Sequence, residues 1–210
     1  AFDTIPVWLI RMTLREHGFT EKFSNAILSM YNGYQVSFIT AFGLSRRIRN
    51  DRRGEKQGAI LSPPLFTLIL NPWLRWVEQQ EHGFAISNSV KIGASAIADD
   101  VATLAGTDTG ITALWEGFEE FCDFADLKPN VDKTKLMANA ARRASGVPLP
   151  VISFRGQPIE WLEADASYVY LGHLFKSNLD WTEHEARLID SIKKKCGIIA
   201  SLKSLSTSEK

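Results

Sequence analysis

Apolar positions recur at helical spacing through the first 31 residues. Ile5, Trp8, Leu9 and Met12 stand at i, i+3, i+4 and i+7, the period of a single helix face. Pro6 falls in the first turn and Gly18 at the end, which predicts a helix closed at Gly18. Thr20 then caps a second helix, with Phe23, Ala26, Ile27, Met30 and Tyr31 as its apolar stripe. Residues 35–50 change period. Val36, Phe38 and Thr40 alternate, a turn follows around Gly43, and a basic strand is centred on Ile48, which predicts a hairpin.

Ser62-Pro63 reads as a serine cap followed by a first-turn proline. The helix it opens is apolar nearly all round, through Leu65, Phe66, Leu68, Ile69, Leu70, Trp73, Trp76 and Val77. That pattern predicts a buried central element, kinked or interrupted at Pro72. Two short apolar runs within 92–105 flank Asp99-Asp100. Asp108 or Thr109 is the expected cap of another helix, apolar along Ile111, Leu114, Trp115, Phe118, Phe121, Cys122 and Ala125. Its other face is acidic, with Glu116, Glu119, Glu120, Asp123 and Asp126. Strands are expected near 134–138, 151–154 and 168–175, with a polar loop over 140–150. From Trp181 a helix carries the stripe Ile189, Ile192, Cys196 and Ile199. This order predicts an α+β fold, an antiparallel sheet with helices packed on one face.

Composition adjusts the picture. Apolar residues make up 45% and charged residues 23% of the 210, the profile of a globular chain. Lys plus Arg total 24 and Asp plus Glu total 24, a balance that at first disfavours a nucleic-acid binder. The sum hides local segregation. Arg46 to Lys56 holds six positive and two negative residues, and Lys193-Lys194-Lys195 is a second basic cluster. The 116–126 helix and Asp99-Asp100 supply the opposing acid. Two cysteines exclude a disulfide framework and a Cys-rich zinc module, and fit a reducing, intracellular location. No run of 18 apolar residues exists to span a membrane as a helix. The four histidines show no metal-ligand spacing. The opening Ala1-Phe2-Asp3 suggests a chain cut from something longer.

Asp99-Asp100 is the sharpest local feature. A two-residue hairpin turn favours Asn-Gly or Asp-Gly, because positive φ is required. Two adjacent carboxylates there repel unless a cation sits between them. Hard oxygen ligands on a rigid hairpin suit Mg²⁺; the competing explanation is a solvated turn. The second feature runs from Arg53 to Phe66. Gly58 permits a tight turn and Ser62-Pro63 starts a helix, which leaves Gln57 unexplained. Exposed backbone N–H groups at a helix start favour a phosphate.

These two features fit together as a resemblance. Gln57-Gly58, then Ser62-Pro63 and Leu65-Phe66, followed further along by Ala98-Asp99-Asp100, resembles the reverse transcriptase domain of non-LTR retrotransposons and group II-intron-like elements. Ala1-Phe2-Asp3 is similar to the end of that family's first motif, Asp-x-x-x-Ala-Phe-Asp. Asp126-Leu127-Lys128-Pro129-Asn130 with Lys133-Thr134 is similar to Gly-Leu-Lys-x-Asn-x-x-Lys-Thr. Tyr170-Leu171-Gly172 is similar to the primer-grip hairpin, and Trp181–Lys203 to the first thumb helix.

The resemblance implies a polymerase palm over 1–178 and the start of a helical thumb over 179–210. It implies RNA-templated DNA synthesis by two-metal nucleotidyl transfer with Mg²⁺, or Mn²⁺ in its place. The implied partners are an RNA template, a DNA or RNA primer and dNTPs. Asp99 and, more weakly, Asp100 match the metal-binding carboxylates. Phe2 matches the residue under the incoming sugar, and Gln57 and Gly58 the loop on the nucleotide and template. Lys133 matches a lysine proposed to protonate the leaving pyrophosphate; an exposed lysine without a role is the alternative. Gly172 matches the glycine that lets the primer backbone approach; a bulge glycine in a strand is the alternative. The basic hairpin and the residues after it, Arg46, Arg47, Arg49, Arg53 and Lys56, stand where template phosphates would run.

Three departures qualify the match. The family's principal metal-binding aspartate would fall before Ala1. Ile97 replaces the usual aromatic before Ala-Asp-Asp. Asp126 replaces a preferred glycine, and Pro129 is unusual before Asn130. The expectation is that these 210 residues alone do not polymerise, and that the Asp99-Asp100 hairpin has an unpaired edge. A decayed or domesticated copy that binds nucleic acid without catalysis is the rival reading. A metal-dependent nuclease is a weaker third, since it leaves Gln57-Gly58 unexplained.

Overall fold

The computed structural model describes residues 5–31, 35–49 and 60–206. Helices α1 (Val7–Glu16) and α2 (Glu21–Tyr31) open the chain. A ribbon of β1 (Gln35–Val36), β2 (Ile39–Thr40), β3 (Gly43–Leu44) and β4 (Ile48–Arg49) follows. Then come α3 (Ser62–Gln79), β5 (Phe84–Ala85) and β6 (Lys91–Ile92). The central hairpin is β7 (Ala94–Ile97) with β8 (Asp100–Thr103), and α4 (Asp108–Ala125) follows it. After β9 (Lys135–Leu136) and α5 (Ala140–Ala144) come β10 (Ser153–Phe154), β11 (Gln157–Pro158) and β12 (Glu160–Trp161). Hairpin β13 (Ser167–Tyr170) and β14 (His173–Lys176) leads into α6 (Thr182–Ser206).

The fold is α+β, but the expected single antiparallel sheet is not what the described residues form. They make seven two-stranded ladders. All are antiparallel except β9–β12, which is parallel. Most strands are two residues long, shorter than is usual for strands of a continuous sheet. No helix is long and apolar enough to cross a membrane among the described residues.

The chain divides into two compact units. The first comprises 1–134 and 149–159, the second 135–148 and 160–210. In the first, α1 packs on α2 and α3, and α3 on α4. Trp73 and Phe118 meet edge to face at 4.9 Å across the α3–α4 contact, a geometry that favours aromatic pairs beyond their area burial. Ile69, Leu70, Val77, Leu114 and Cys122 complete this core. Hairpin β10–β11 closes over α4, where Ile152, Phe154 and Ile159 are buried and Trp115 Nε1 donates to the Ser153 carbonyl at 2.9 Å.

Local expectations shift in instructive ways. Thr107, not Asp108 or Thr109, caps α4, its Oγ1 accepting from Gly110 N at 3.0 Å. Ser62 is the first residue of α3 rather than its cap; Leu61 is the N-cap. Helix α3 runs unbroken through Pro72, and it has a solvent face at Pro64, Thr67, Pro72, Arg75 and Glu78. Its burial is therefore one-sided. The buried faces of α1 and α2 are offset from the expected stripes. Leu9, Ile10, Thr13 and Leu14 turn inward in α1, and Ser24, Ile27, Leu28 and Tyr31 in α2, leaving Trp8, Phe23 and Met30 exposed. Residues 140–150 contain α5, capped by Asn139 Oδ1, which accepts from Arg142 N at 2.8 Å.

In the second unit α6 leans on β14 at its start. Leu174 N donates to His184 Nδ1 at 3.2 Å, and His184 Nε2 lies 3.3 Å from His173 Nδ1. Trp181 packs against Phe175 at 5.4 Å. Asp180 Oδ1 accepts from the Thr182 hydroxyl at 2.7 Å and the Thr182 amide at 3.0 Å, contacts that hold its carboxyl below the ordinary range. Beyond this footing the expected apolar stripe of α6 stays exposed at Ile189, Ile192, Cys196 and Ile199.

Candidate active site and nucleic-acid interface

The candidate carboxylates sit on hairpin β7–β8. Its register pairs Ala94 with Thr103 and Ile97 with Asp100. The two turn residues are therefore Ala98 and Asp99, and Asp100 is the first residue of β8, a correction to reading both aspartates as turn positions. Ala98 carries the positive φ, at 51°. A left-handed conformation costs an L-residue with a Cβ roughly 1–2 kcal/mol. Strain of this kind persists only where the surroundings over-determine it, and it concentrates at functional sites.

The surroundings are two helices. Helix α3 packs on β7 and α4 on β8. Gly93, just before β7, lies so close to α3 that a Cβ there would fall 2.4 Å from Val77 Cγ1. Leu104 N donates to Gly93 O at 2.8 Å, which extends the ladder by one step. Val101, Ala102 and Thr103 are half-buried, whereas Ile97, Asp99 and Asp100 are exposed. No third strand pairs with β7–β8 among the described residues. The hairpin thus presents two adjacent carboxylates to solvent from a braced base. Among the described residues Asp99 joins no ion pair, and no group of three metal-ligating side chains assembles. Consecutive exposed carboxylates still fit Mg²⁺, which is commonly held by one or two carboxylates plus substrate phosphates and water.

Lys133 lies beyond α4 in a short 3-10 turn, Val131–Lys133. Asn130 caps that turn, its Oδ1 accepting from Lys133 N at 3.1 Å, and Lys133 itself is exposed. The loop between starts at Asp126, where φ is 51°. Leu127 N donates back to Cys122 O at 2.9 Å and Asp126 N to Asp123 O at 3.4 Å. These bonds close α4 in a Schellman-type cap, whose left-handed residue is usually glycine. The departure at Asp126 therefore falls where a glycine would carry no Cβ penalty.

Gly172 lies in the second unit. It is not a strand glycine: Leu171 and Gly172 form the two-residue turn of β13–β14, with φ of 50° and 80°. Positive φ at both central positions is the turn that matches the strand twist. A Cβ on Gly172 would meet nothing within 4 Å, so backbone conformation, not space, calls for glycine there.

Arg46 and Arg47 are exposed on the β1–β4 ribbon. Arg49 closes β4 in register with Gln35, and its side chain lies outside the described residues. Phe2, Arg53, Lys56, Gln57 and Gly58 also lie outside them. Of the expected site, the structure brings together Asp99 with Asp100 and Arg46 with Arg47.

Residues 1–175 match the protein family described as reverse transcriptase (RNA-dependent DNA polymerase). The chain belongs to that family. It is 34% identical over 133 residues to a retrovirus-related Pol polyprotein from type-2 retrotransposable element R2DM of Drosophila melanogaster, covering 63% of this chain and 12% of that polyprotein. A Pol polyprotein from type-1 retrotransposable element R2 of Popillia japonica is 25% identical over 179 residues, covering 84% of this chain and 29% of the relative. One from Nasonia vitripennis is 33% identical over 113 residues, covering 54% and 11%. The chain thus spans less than a third of the length of these curated relatives. These relatives agree with the non-LTR resemblance carried by the Gln-Gly and Ala-Asp-Asp motifs.

Two contacts in the first unit escape a sequence reading of this reverse transcriptase segment. Arg155, at φ 49° in the β10–β11 turn, lies 2.5 Å from Asp123 Oδ1, and its amide donates to Glu119 Oε1 at 2.8 Å. The acidic face of α4 is therefore partly a docking surface for this turn. Directly beneath, burial pushes the Cys122 thiol up to about 12.

Proposed function

We propose that this chain is the palm, over 1–178, and the start of the thumb, over 179–210, of an enzyme that copies RNA into DNA. Its partners are an RNA template, a DNA or RNA primer and dNTPs. The observation that carries the reading is the strained Ala98 turn, which holds Asp99 and Asp100 side by side at the end of a hairpin braced by α3 and α4.

In this reading Asp99 and Asp100 hold Mg²⁺, which supplies activation of the primer hydroxyl and neutralisation of the triphosphate. The chain's own residues position and exclude. Phe2 lies under the incoming sugar, and Gln57 and Gly58 contact the nucleotide and template. Lys133 holds the proton for the leaving pyrophosphate. Arg46, Arg47, Arg49, Arg53 and Lys56 contact template phosphates, and the Gly172 turn meets the primer backbone.

The test is templated primer extension with the complete open reading frame, comparing wild type with Asp99→Asn. Loss of a ligand to the catalytic metal should lower the rate on the order of a hundredfold or more. Equal rates would reject the metal-ligand role. The alternative reading, a nucleic-acid-binding remnant without catalysis, predicts template binding with no extension by either protein.

A further inference from the structure

The β1–β4 ribbon ends in an apolar tip. Phe38, Ile39, Phe42 and Leu44 are exposed there, Ile39 at 89% and Phe42 completely. The tip is tied together by its own hydrogen bonds. Thr40 Oγ1 donates to Gly43 O at 2.7 Å and accepts from Phe42 N at 3.2 Å. Ser45 N donates to Phe38 O at 2.9 Å, and Ser45 Oγ accepts from Phe38 N at 2.9 Å and donates to Arg46 O at 3.0 Å.

Register reveals a second feature. Ile39 pairs with Leu44 and Thr40 with Gly43 at the tip, while Val36 pairs with Ile48 and Gln35 with Arg49 at the base. Ser37 and Phe38 therefore face Ser45, Arg46 and Arg47, two residues against three. This is the count of a β-bulge, which bends the strand and re-aims its side chains. The extra residue comes from the arginine pair. From Gln35 to Asn50 the sequence holds three arginines and no acid, so the ribbon itself supplies no opposing charge.

We infer that this tip is a binding site for single-stranded nucleic acid. Phe38 and Phe42 stack on unpaired bases, and Arg46 and Arg47 contact the adjoining phosphates. The inference rests on the nucleic-acid reading above and adds to it the base contacts that arginines alone do not make. Aromatic rings beside a cationic backbone track are how proteins hold unpaired strands without reading sequence. Charge selects among occupants: an arginine pair that joins no ion pair among the described residues fits a polyanion that also offers flat apolar faces. A protein partner would have to enclose a narrow ribbon, because cross-strand partners Ile39 and Leu44 share one face while Phe42 projects from the turn. A base needs only one ring face.

The test uses the complete open reading frame in EDTA without dNTPs. Fluorescence anisotropy compares a short labelled single-stranded RNA with a blunt RNA–DNA duplex. Phe42→Ala should weaken single-strand binding by about 5- to 150-fold, the range expected for removing one base stack, and leave duplex binding unchanged. Phe42→Trp should retain binding within about threefold, since the ring is kept. Arg46→Gln with Arg47→Gln should flatten the salt dependence by about 0.7 in log–log slope for each phosphate no longer neutralised. Unchanged single-strand affinity in Phe42→Ala overturns the inference, and so does an equal loss on duplex. A fall of the thermal midpoint in Phe42→Ala overturns it in favour of a tip buried against protein. Loss of binding to phosphatidylserine vesicles with RNA binding intact overturns it in favour of a lipid surface. If the wild-type open reading frame extends no primer, the polymerase reading fails while the tip measurement stands; if Asp99→Asn extends as wild type does, only the metal-ligand role of Asp99 fails.

Discussion

The indole of Trp76 stands against Gly117 so closely that a Cβ on the glycine would fall 2.2 Å from Trp76 Cη2. Helices α3 and α4 meet there, and the same two helices brace the hairpin of Asp99 and Asp100. Gly117→Ala gains helix propensity but must displace a large ring between two packed helices. Overpacking of this kind costs about 1–3 kcal/mol, so denaturant titration should show a net loss. Gly197, in α6, has open space around its Cα, and Gly197→Ala should stabilise by about 0.5–1 kcal/mol.

Ala98→Gly tests the strained turn. Removing the Cβ relieves a left-handed conformation and should raise stability by about 1 kcal/mol. The extra backbone freedom loosens the placement of Asp99, so turnover in primer extension should fall while the midpoint of unfolding rises. A variant that is both more stable and equally active would show that the strain has no catalytic use.

Asp126→Gly should also stabilise, by about 1 kcal/mol, because the left-handed Schellman position carries a Cβ penalty in the natural sequence. No loss of primer extension should accompany it, since the change leaves the Cys122–Leu127 backbone bond in place. Thermal unfolding at neutral pH checks the first part and the extension assay the second.

Cys122 gives a pH prediction with a definite sign. Its thiol ionises near 9 in an unfolded chain and is pushed up to about 12 in the fold, chiefly because burial disfavours the thiolate and despite the nearby Arg155 guanidinium. A raised folded value means its contribution is full below pH 9 and is lost as pH rises toward 12. In that window Cys122 alone should lower unfolding free energy by up to about 1.4 kcal/mol per pH unit. Cys122→Ala should flatten the alkaline limb of a stability–pH curve. Iodoacetamide at neutral pH should label exposed Cys196 and spare Cys122 in the native state.

Legibility in the sequence followed the range of the interaction. Helix positions came from local periodicity, and all five helices that the apolar spacing predicted appear where it put them. The facing of α1 did not, because Trp8 dominates the stripe by hydrophobicity while Ile10 and Leu14 are the residues that α2 and α3 cover. Asp99-Asp100 stood out because the pair breaks a turn rule, but which residue bears the strain depends on register, and register placed it on Ala98. The Arg155 clamp was invisible: Arg-Gly is not a recognised turn pair, and its partners Glu119 and Asp123 lie more than thirty residues away. The division into two-stranded ladders and the parallel β9–β12 pair likewise depend on distant neighbours that no local pattern specifies. The stripe on α6 was legible as periodicity, but periodicity alone does not say whether the face is covered.

The first unit is discontinuous, and that bears on how the protein is made. Its helical core is encoded before residue 134, yet the lid over α4 arrives with 149–159, after a stretch that belongs elsewhere. A ribosome must therefore deliver Phe154 before Trp115 finds its ring partner at 6.2 Å and its carbonyl acceptor. Until then the emerging chain carries an uncovered aromatic helix face. Nascent chains arrested short of residue 150 should be the ones that chaperones hold and proteases find, and release past residue 159 should end that exposure in a single step.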